Sequence, residues 1–343
     1  VVLPQLRIAM TGGALLVSLH LLAEYGAFAM IRFDTFTTAI MVQYQSTFNG
    51  TAGNMLASVL VFLCLILLLV EVRSRGSARY AKIGSGAQAR ALRLPLHTYQ
   101  LPAQLFLVAL TALAFGLPLT FVLRWIFAGG PDIWAADEFL PALLQTLMYG
   151  LAGALATTVV AFPMAYLAVR HPSWFSKALE LSNYITSSMP GIVVGLAFVT
   201  VSIKAAPNLY QTSALLIAAY VLLFLPRALV NIRSGLAQAP KELDEAAQAL
   251  GKPPLLAFLR VTLRLTAPAA AGGAALVFLA IVNELTATLL LSPNGTRTLA
   301  TEFWSKSSEI DYAGAAPYAL LMILISAPMT YLLFQQSKKA AGQ

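Results

Sequence analysis

Residues 241–263 read "KELDEAAQALGKPPLLAFLRVTL" and lie between two long apolar runs. Glu242, Asp244 and Glu245 crowd the start of the stretch, where acids favour the dipole of a helix. Ala246, Ala247 and Ala249 have high helix propensity. Pro240 suits a first helical turn. Gly251 can end the helix, and Pro253-Pro254 block its continuation. A second short helix is expected over about 254–261, with Leu255, Leu256, Phe258 and Leu259 on its apolar face, lying along a membrane surface. The stretch thus predicts a small helix-turn-helix that protrudes from its surroundings. On physics alone it is either an ordinary amphipathic loop or a docking element.

The surroundings are apolar. Of 343 residues, 59% are hydrophobic and 10% charged, against about 25% charged in a soluble domain. The fold class expected is an all-α polytopic membrane protein. A crossing helix needs about 20 mostly apolar residues, and eight segments qualify, at roughly 8–31, 53–72, 102–127, 141–169, 181–204, 211–232, 265–291 and 315–335. With the 241–263 loop in the cytoplasm, alternation puts 17 Lys and Arg residues, Arg170 and Arg227 among them, on the cytoplasmic side. The other 5 (Arg32, Arg124, Lys204, Arg297 and Lys306) fall outside. That bias marks the inner face. The net charge of +8 is therefore a topology signal, and no nucleic-acid partner is expected. Cys64 alone cannot form an intrachain disulfide, and His20, His97 and His171 form no cluster.

The chain also repeats itself. Residues 1–31 align without gaps on 261–291, so that Gly12-Gly13 fall on Gly272-Gly273 and Glu24 on Glu284. After one inserted residue Thr35, Thr37 and Ala39 fall on Thr296, Thr298 and Ala300. Carboxylates inside membrane segments are costly and rare. Two at one register imply two homologous halves, related in parallel about an axis normal to the membrane. On this reading 1–72 is the end of a first half and 73–100 a basic cytoplasmic linker. Residues 101–336 form a complete six-span second half, and 337–343 a cytoplasmic tail. The chain starts at Val1, and completing the first half would take roughly 200 further residues upstream. A piece holding one copy of the 241–263 loop is not expected to work alone.

Glu245-Ala246-Ala247, Gly251 four residues on, then Val261 and Leu263, resemble the EAA loop of ABC importer permeases. Arg264 stands where that pattern has Pro. "VVLP" at 1–4 resembles the tail of the same motif. The resemblance covers essentially the whole chain and implies the type I importer transmembrane fold in the bacterial inner membrane. It implies that the loop is a coupling helix docking on a cytoplasmic ABC ATPase dimer, through Glu242, Asp244, Glu245, Ala246, Ala247 and Gly251. A periplasmic binding protein would deliver substrate to outer loops near 128–140 and 292–314. "LAEYGAFAMIRFDTFTTAI" (22–40) and "NELTATLLLSPNGTRTLATEFW" (283–304) resemble the ferric-iron subgroup, which usually has Pro at the position of Thr286. Thiamine, putrescine, phosphonate and sulfate permeases share the architecture and stay open as alternatives.

The chain has no Gly-x-x-x-x-Gly-Lys-Ser/Thr loop, so ATP and Mg²⁺ are expected on the partner ATPase, no cofactor on this chain, and no enzymatic activity. Ferric ion is a hard cation suited to carboxylates and phenolates. Glu24 and Glu284, with Tyr25, are candidate linings of a translocation path. Equally, the two glutamates could serve only to satisfy buried polar groups between the halves. Pro190-Gly191 interrupt the fifth apolar segment and free backbone carbonyls that only protein or a watery cavity tolerates. They are a second candidate lining, or a packing kink. Gly191 and Gly195 are spaced for close helix contact, a spacing common by chance. The rival classes are an ion-coupled secondary transporter, which would have no use for a coupling loop, and a membrane enzyme, which would need a catalytic cluster absent from the eight segments.

Overall fold

The structure, a computed structural model, describes residues 2–75, 97–134 and 136–340. Most of the basic linker, including Arg79, Lys82, Arg90 and Arg93, lies outside the described residues. Every regular element among the described residues is helical.

A first arm holds α1 (Val2–Ala23), α2 (Gly26–Met30), α3 (Phe36–Gln45) and α4 (Gly50–Arg75). Next, α5 (Gln100–Thr111) and α6 (Leu117–Gly129) join through a π-turn at Ala112–Gly116 into one span. The long α7 (Ala136–Arg170) follows, then α8 (Trp174–Ser187), α9 (Gly191–Ala205) and α10 (Ser213–Gln238). The opening stretch forms α11 (Lys241–Ala249) and α12 (Pro254–Ala257). A π-turn at Phe258–Thr262 leads from α12 into α13 (Leu263–Val282). The chain closes with α14 (Thr286–Leu291), α15 (Leu299–Ser308) and α16 (Tyr312–Ala340).

Among the described residues six helices are long and apolar enough to cross a membrane, or seven if the bent pair α8–α9 counts as one, with a shorter apolar helix at Met10–Ala23. The expected number of about eight therefore holds as an approximation. Three of the expected segments are not continuous. Segment 8–31 breaks at Glu24, 181–204 turns through 109° between Ser187 and Gly191, and 265–291 breaks at Glu284. A run of apolar residues records only that a stretch avoids water. It does not record where one polar side chain lets the backbone turn.

The core is the mutual packing of α7, α10 and α13. Tyr220, Leu216, Ile232 and Leu236 of α10 and Val277 of α13 are fully buried there. Small residues permit the approach: a Cβ on Gly153 of α7 would stand 2.5 Å from Ile281 Cδ1 of α13. The outward faces stay apolar, as in Phe106, Val108 and Leu113 on α5 and the turn after it, which suits contact with acyl chains.

The short helix expected at 254–261 is not a separate surface helix. α12 continues through its π-turn into α13 as one span, Pro254–Val282. Phe258 anchors the turn with edge-on contacts to Phe162 and Tyr166 of α7. Packing that ring against α7 requires the segment to enter the bundle.

Candidate functional site

A cavity of about 910 Å³ lies where the three broken segments meet. Each break can be built up from its residues. α1 ends at Ala23 and the chain turns at Glu24-Tyr25. The first amides of a helix have no partner within it. Ala27 N of α2 finds one by donating to Glu24 Oε1 at 3.0 Å. The break also frees a carbonyl, and Thr37 Oγ1 of α3 donates to Glu24 O at 2.6 Å. Glu284 repeats this after α13. Its Oε1 accepts from Ala287 N at 3.0 Å and from Thr286 Oγ1 at 2.7 Å. Its carbonyl accepts from Thr288 Oγ1 at 2.9 Å, and that hydroxyl also meets Tyr220 OH at 2.7 Å.

Both glutamates line the cavity, and Oε2 of each makes no hydrogen bond among the described residues. Tyr25 also lines it, buried against Trp304 with ring centroids 5.3 Å apart. Gly191 lines it from a third side. A Cβ there would stand 2.7 Å from Thr286 Oγ1 and 3.0 Å from Glu284 Oε1, so only glycine lets α9 start against the Glu284 break. Gly195 makes the same approach to Leu290, which seats α9 on α14. Pro190 is buried, sets the turn into α9, and is not part of the lining.

The lining residues that sequence reading missed include His20, Asn283 and Arg227. Arg227 was expected at the cytoplasmic surface. It lies inside α10, one residue after Pro226, with its guanidinium 5.3 Å from the Phe224 ring. Its position in the apolar segment 211–232, fully eleven residues before the helix ends at Gln238, was the available signal. Among the described residues no group of three His, Cys, Asp or Glu side chains could hold a metal ion.

At the opposite end stands α11. Pro240 precedes it as the N-cap. Its end is a Schellman motif: Gly251 at φ +84° donates to Gln248 O, and Lys252 N donates to Ala247 O. Glu242, Glu245 and Ala246 are exposed and Ala247 is buried. Asp244 departs from the expected set, because it turns inward. Its Oδ2 accepts from Thr262 Oγ1 at 2.5 Å and stands 3.7 Å from Arg170 Nη2.

The outer segments 128–140 and 292–314 come together as well. Lys306 Nζ lies 3.3 Å from Glu138 Oε2, and beyond the first segment, deeper in α7, Thr146 Oγ1 accepts from Leu299 N at 2.8 Å.

Long apolar helices, three of their segments broken around one cavity lined by two carboxylates, define a polytopic membrane protein. The chain belongs to the family of binding-protein-dependent transport system inner membrane components, whose pattern matches residues 157–340. It is accordingly a multi-pass protein of the inner membrane. The chain is 34% identical over 336 residues to Fe(3+)-transport system permease protein FbpB 2 of Haemophilus influenzae, which covers 96% of this chain and 66% of that relative. It is 24% identical over 357 residues to ferric transport system permease protein FbpB of Actinobacillus pleuropneumoniae, covering 97% of this chain and 51% of the relative. The chain thus spans less than two thirds of either relative's length.

Proposed function

We propose that this chain is the membrane-spanning part of an ATP-driven importer that moves ferric iron from a periplasmic binding protein to the cytoplasm. The observation that carries this reading is that Glu24 and Glu284, from separate arms of the fold, line one shared cavity. The cargo named for the two relatives supports it.

Each carboxylate is fixed through Oε1 to a helix start, which leaves Oε2 as a hard oxygen for a hard cation. Two such oxygens, in no group of three His, Cys, Asp or Glu side chains able to hold a metal among the described residues, make a lining that can ease a trivalent ion past without caging it. Arg227 in the same cavity opposes a cation coming to rest, because like charges in a low-dielectric site repel strongly. ATP and Mg²⁺ belong to the partner ATPase, and this chain hydrolyses nothing. The exposed acids Glu242 and Glu245 of α11 form its docking face. Gly251 fixes the angle at which that face is presented. The joined outer segments around Glu138 and Lys306 receive the binding protein.

The test uses the intact permease with its ATPase and binding protein, reading uptake of radiolabelled Fe(III). Glu24→Gln with Glu284→Gln keeps an oxygen for each helix start and removes only charge. Uptake is expected to fall at least tenfold while the complex assembles; unchanged uptake removes the pathway role. Glu245→Ala and Gly251→Pro are expected to release the ATPase from a permease that stays folded.

A further inference from the structure

The inner side of α11 is tied to the spans through an ion pair whose arginine is buried and whose aspartate is partly buried. Arg170 is the last residue of α7, and its side chain is 7% exposed. Its Nη2 donates to the carbonyl of Ala239, just past α10, at 2.9 Å, and faces Asp244 Oδ2 of α11 at 3.7 Å. Thr262, at the end of the π-turn that leads into α13, donates to that same oxygen. α7, α10, α13 and α11 therefore converge on two side chains. Lys241 Nζ adds a weaker, exposed tie to Arg170 O at 3.4 Å.

The pair is only half made. Asp244 Oδ1 and Arg170 Nε are both buried without a hydrogen-bond partner. A guanidinium and a carboxylate pair best through two parallel bonds of about 2.7–2.9 Å. The single contact here, at 3.7 Å, is about 1 Å longer than either bond of such a fork. Leaving two buried polar atoms idle is costly, and a nearby arrangement that satisfies both is what a two-state element requires.

We propose that Arg170 and Asp244 are positioning residues that carry displacement of α11 into α7, α10 and α13. The pair closes from one long contact to a two-bond fork when the ATPase presses on α11. This rests on the reading of α11 as the coupling helix. It separates two tasks within one short helix: Glu242 and Glu245 meet the ATPase, and Asp244 passes the motion on. Thr262 delivers it to α13, whose far end leads directly into the Glu284 break.

The experiment uses the full permease with its ATPase subunits and binding protein in vesicles where the wild-type complex takes up radiolabelled Fe(III). Three quantities are read together: ATPase retained, ATP hydrolysed and iron taken up. Removing one partner strands a buried charge and endangers folding, whereas replacing both with apolar residues of similar size is often tolerated. The double variant Arg170→Met with Asp244→Leu is expected to retain the ATPase and hydrolyse ATP, with iron uptake per ATP reduced at least tenfold. Wild-type uptake per ATP overturns the proposal. So does release of the ATPase, which would place Asp244 on the docking face. Thr262→Val, nearly isosteric and charge-neutral, carries the test should the double variant not assemble. A roughly threefold drop in uptake per ATP is expected, and an unchanged ratio overturns the proposal. Failure of the coupling-helix reading is seen separately, as an ATPase that stays bound to both Glu245→Ala and Gly251→Pro.

Discussion

The two broken segments use one local device in two different settings. In the arm α1–α4, Glu24 holds the first turn of α2, a capped helix α3 follows, and a span begins at α4. From α13 to α16 the same order recurs around Glu284. The caps agree in detail. Thr35 and Thr38 form a reciprocal capping box, as do Thr298 and Thr301. Asn49 Oδ1 accepts from Ala52 N, and Asp311 Oδ1 accepts from Gly314 N. What differs is the packing. α13 buries Thr266, Gly272, Gly273, Val277 and Phe278 against its neighbours, whereas α1 leaves Met10 65% and Val17 60% exposed. Position 286 is Thr and supports Glu284 with a second hydrogen bond; its counterpart, Gly26, offers none. The shape of the break is therefore local chemistry, and its rigidity comes from what surrounds it.

The sharpest way to break this comparison is to add one carbon on each side. A Cβ at Gly191 meets Thr286 Oγ1 at 2.7 Å, and that oxygen cannot move without losing Glu284. Gly191→Ala is expected to cost about 2 kcal/mol, in the range of an overpacked core. A Cβ at Gly26 meets Leu285 Cδ2 at 3.4 Å, an ordinary contact. Gly26→Ala should be neutral or stabilising by up to about 1 kcal/mol, since α2 gains a better helix former. Thermal unfolding of the purified permease separates the two. Equal losses would mean that both breaks are packed alike.

A smaller difference is expected at the freed carbonyls. Glu24 O is satisfied by Thr37 from α3, thirteen residues on, and Glu284 O by Thr288, four residues on. Both threonines are fully buried. Each Thr→Val change strands a carbonyl, at about 1–2 kcal/mol. Thr288→Val should sit at the upper end, because it also removes the partner of the buried Tyr220 hydroxyl. Denaturant midpoints of the two variants give the order, and a costlier Thr37→Val would reverse the comparison.

These contrasts explain what could be read beforehand. The end of α11 at Gly251 and the glutamate register are properties of a few neighbouring residues, so sequence carries them. The later register slipped for the same reason. An offset of 261 pairs Thr35 with Thr296, but the caps pair Thr35 with Thr298, because the loop before α15 holds two more residues than assumed. Loops absorb insertions without disturbing a cap. The inward turn of Asp244 was not legible, since it depends on Arg170 and Thr262, distant in sequence. Arg227 was assigned to the surface because a charge in a membrane protein is ordinarily a loop charge. Only the cavity beside α10 makes room for it.

The mildest prediction concerns the turns that lead into α4 and α16. Phe48 and Ile310 both adopt left-handed backbone, at φ 51° and 66°, one residue before the capping Asn49 and Asp311. That region costs a residue with a Cβ about 1–2 kcal/mol, and a β-branched residue suffers most. Neither side chain is held by packing, with Phe48 86% and Ile310 65% exposed. Glycine would remove the strain, offset in part by its greater freedom in the unfolded chain, worth about 0.5–1 kcal/mol. Ile310→Gly is therefore expected to stabilise the permease by about 0.5–1 kcal/mol, and Phe48→Gly by less. Both turns precede the same kind of cap, so the two gains should keep one sign and differ only through branching at Cβ. A loss of stability at either site, measured by thermal unfolding, would show that its side chain is held by contacts and that the two turns are not equivalent.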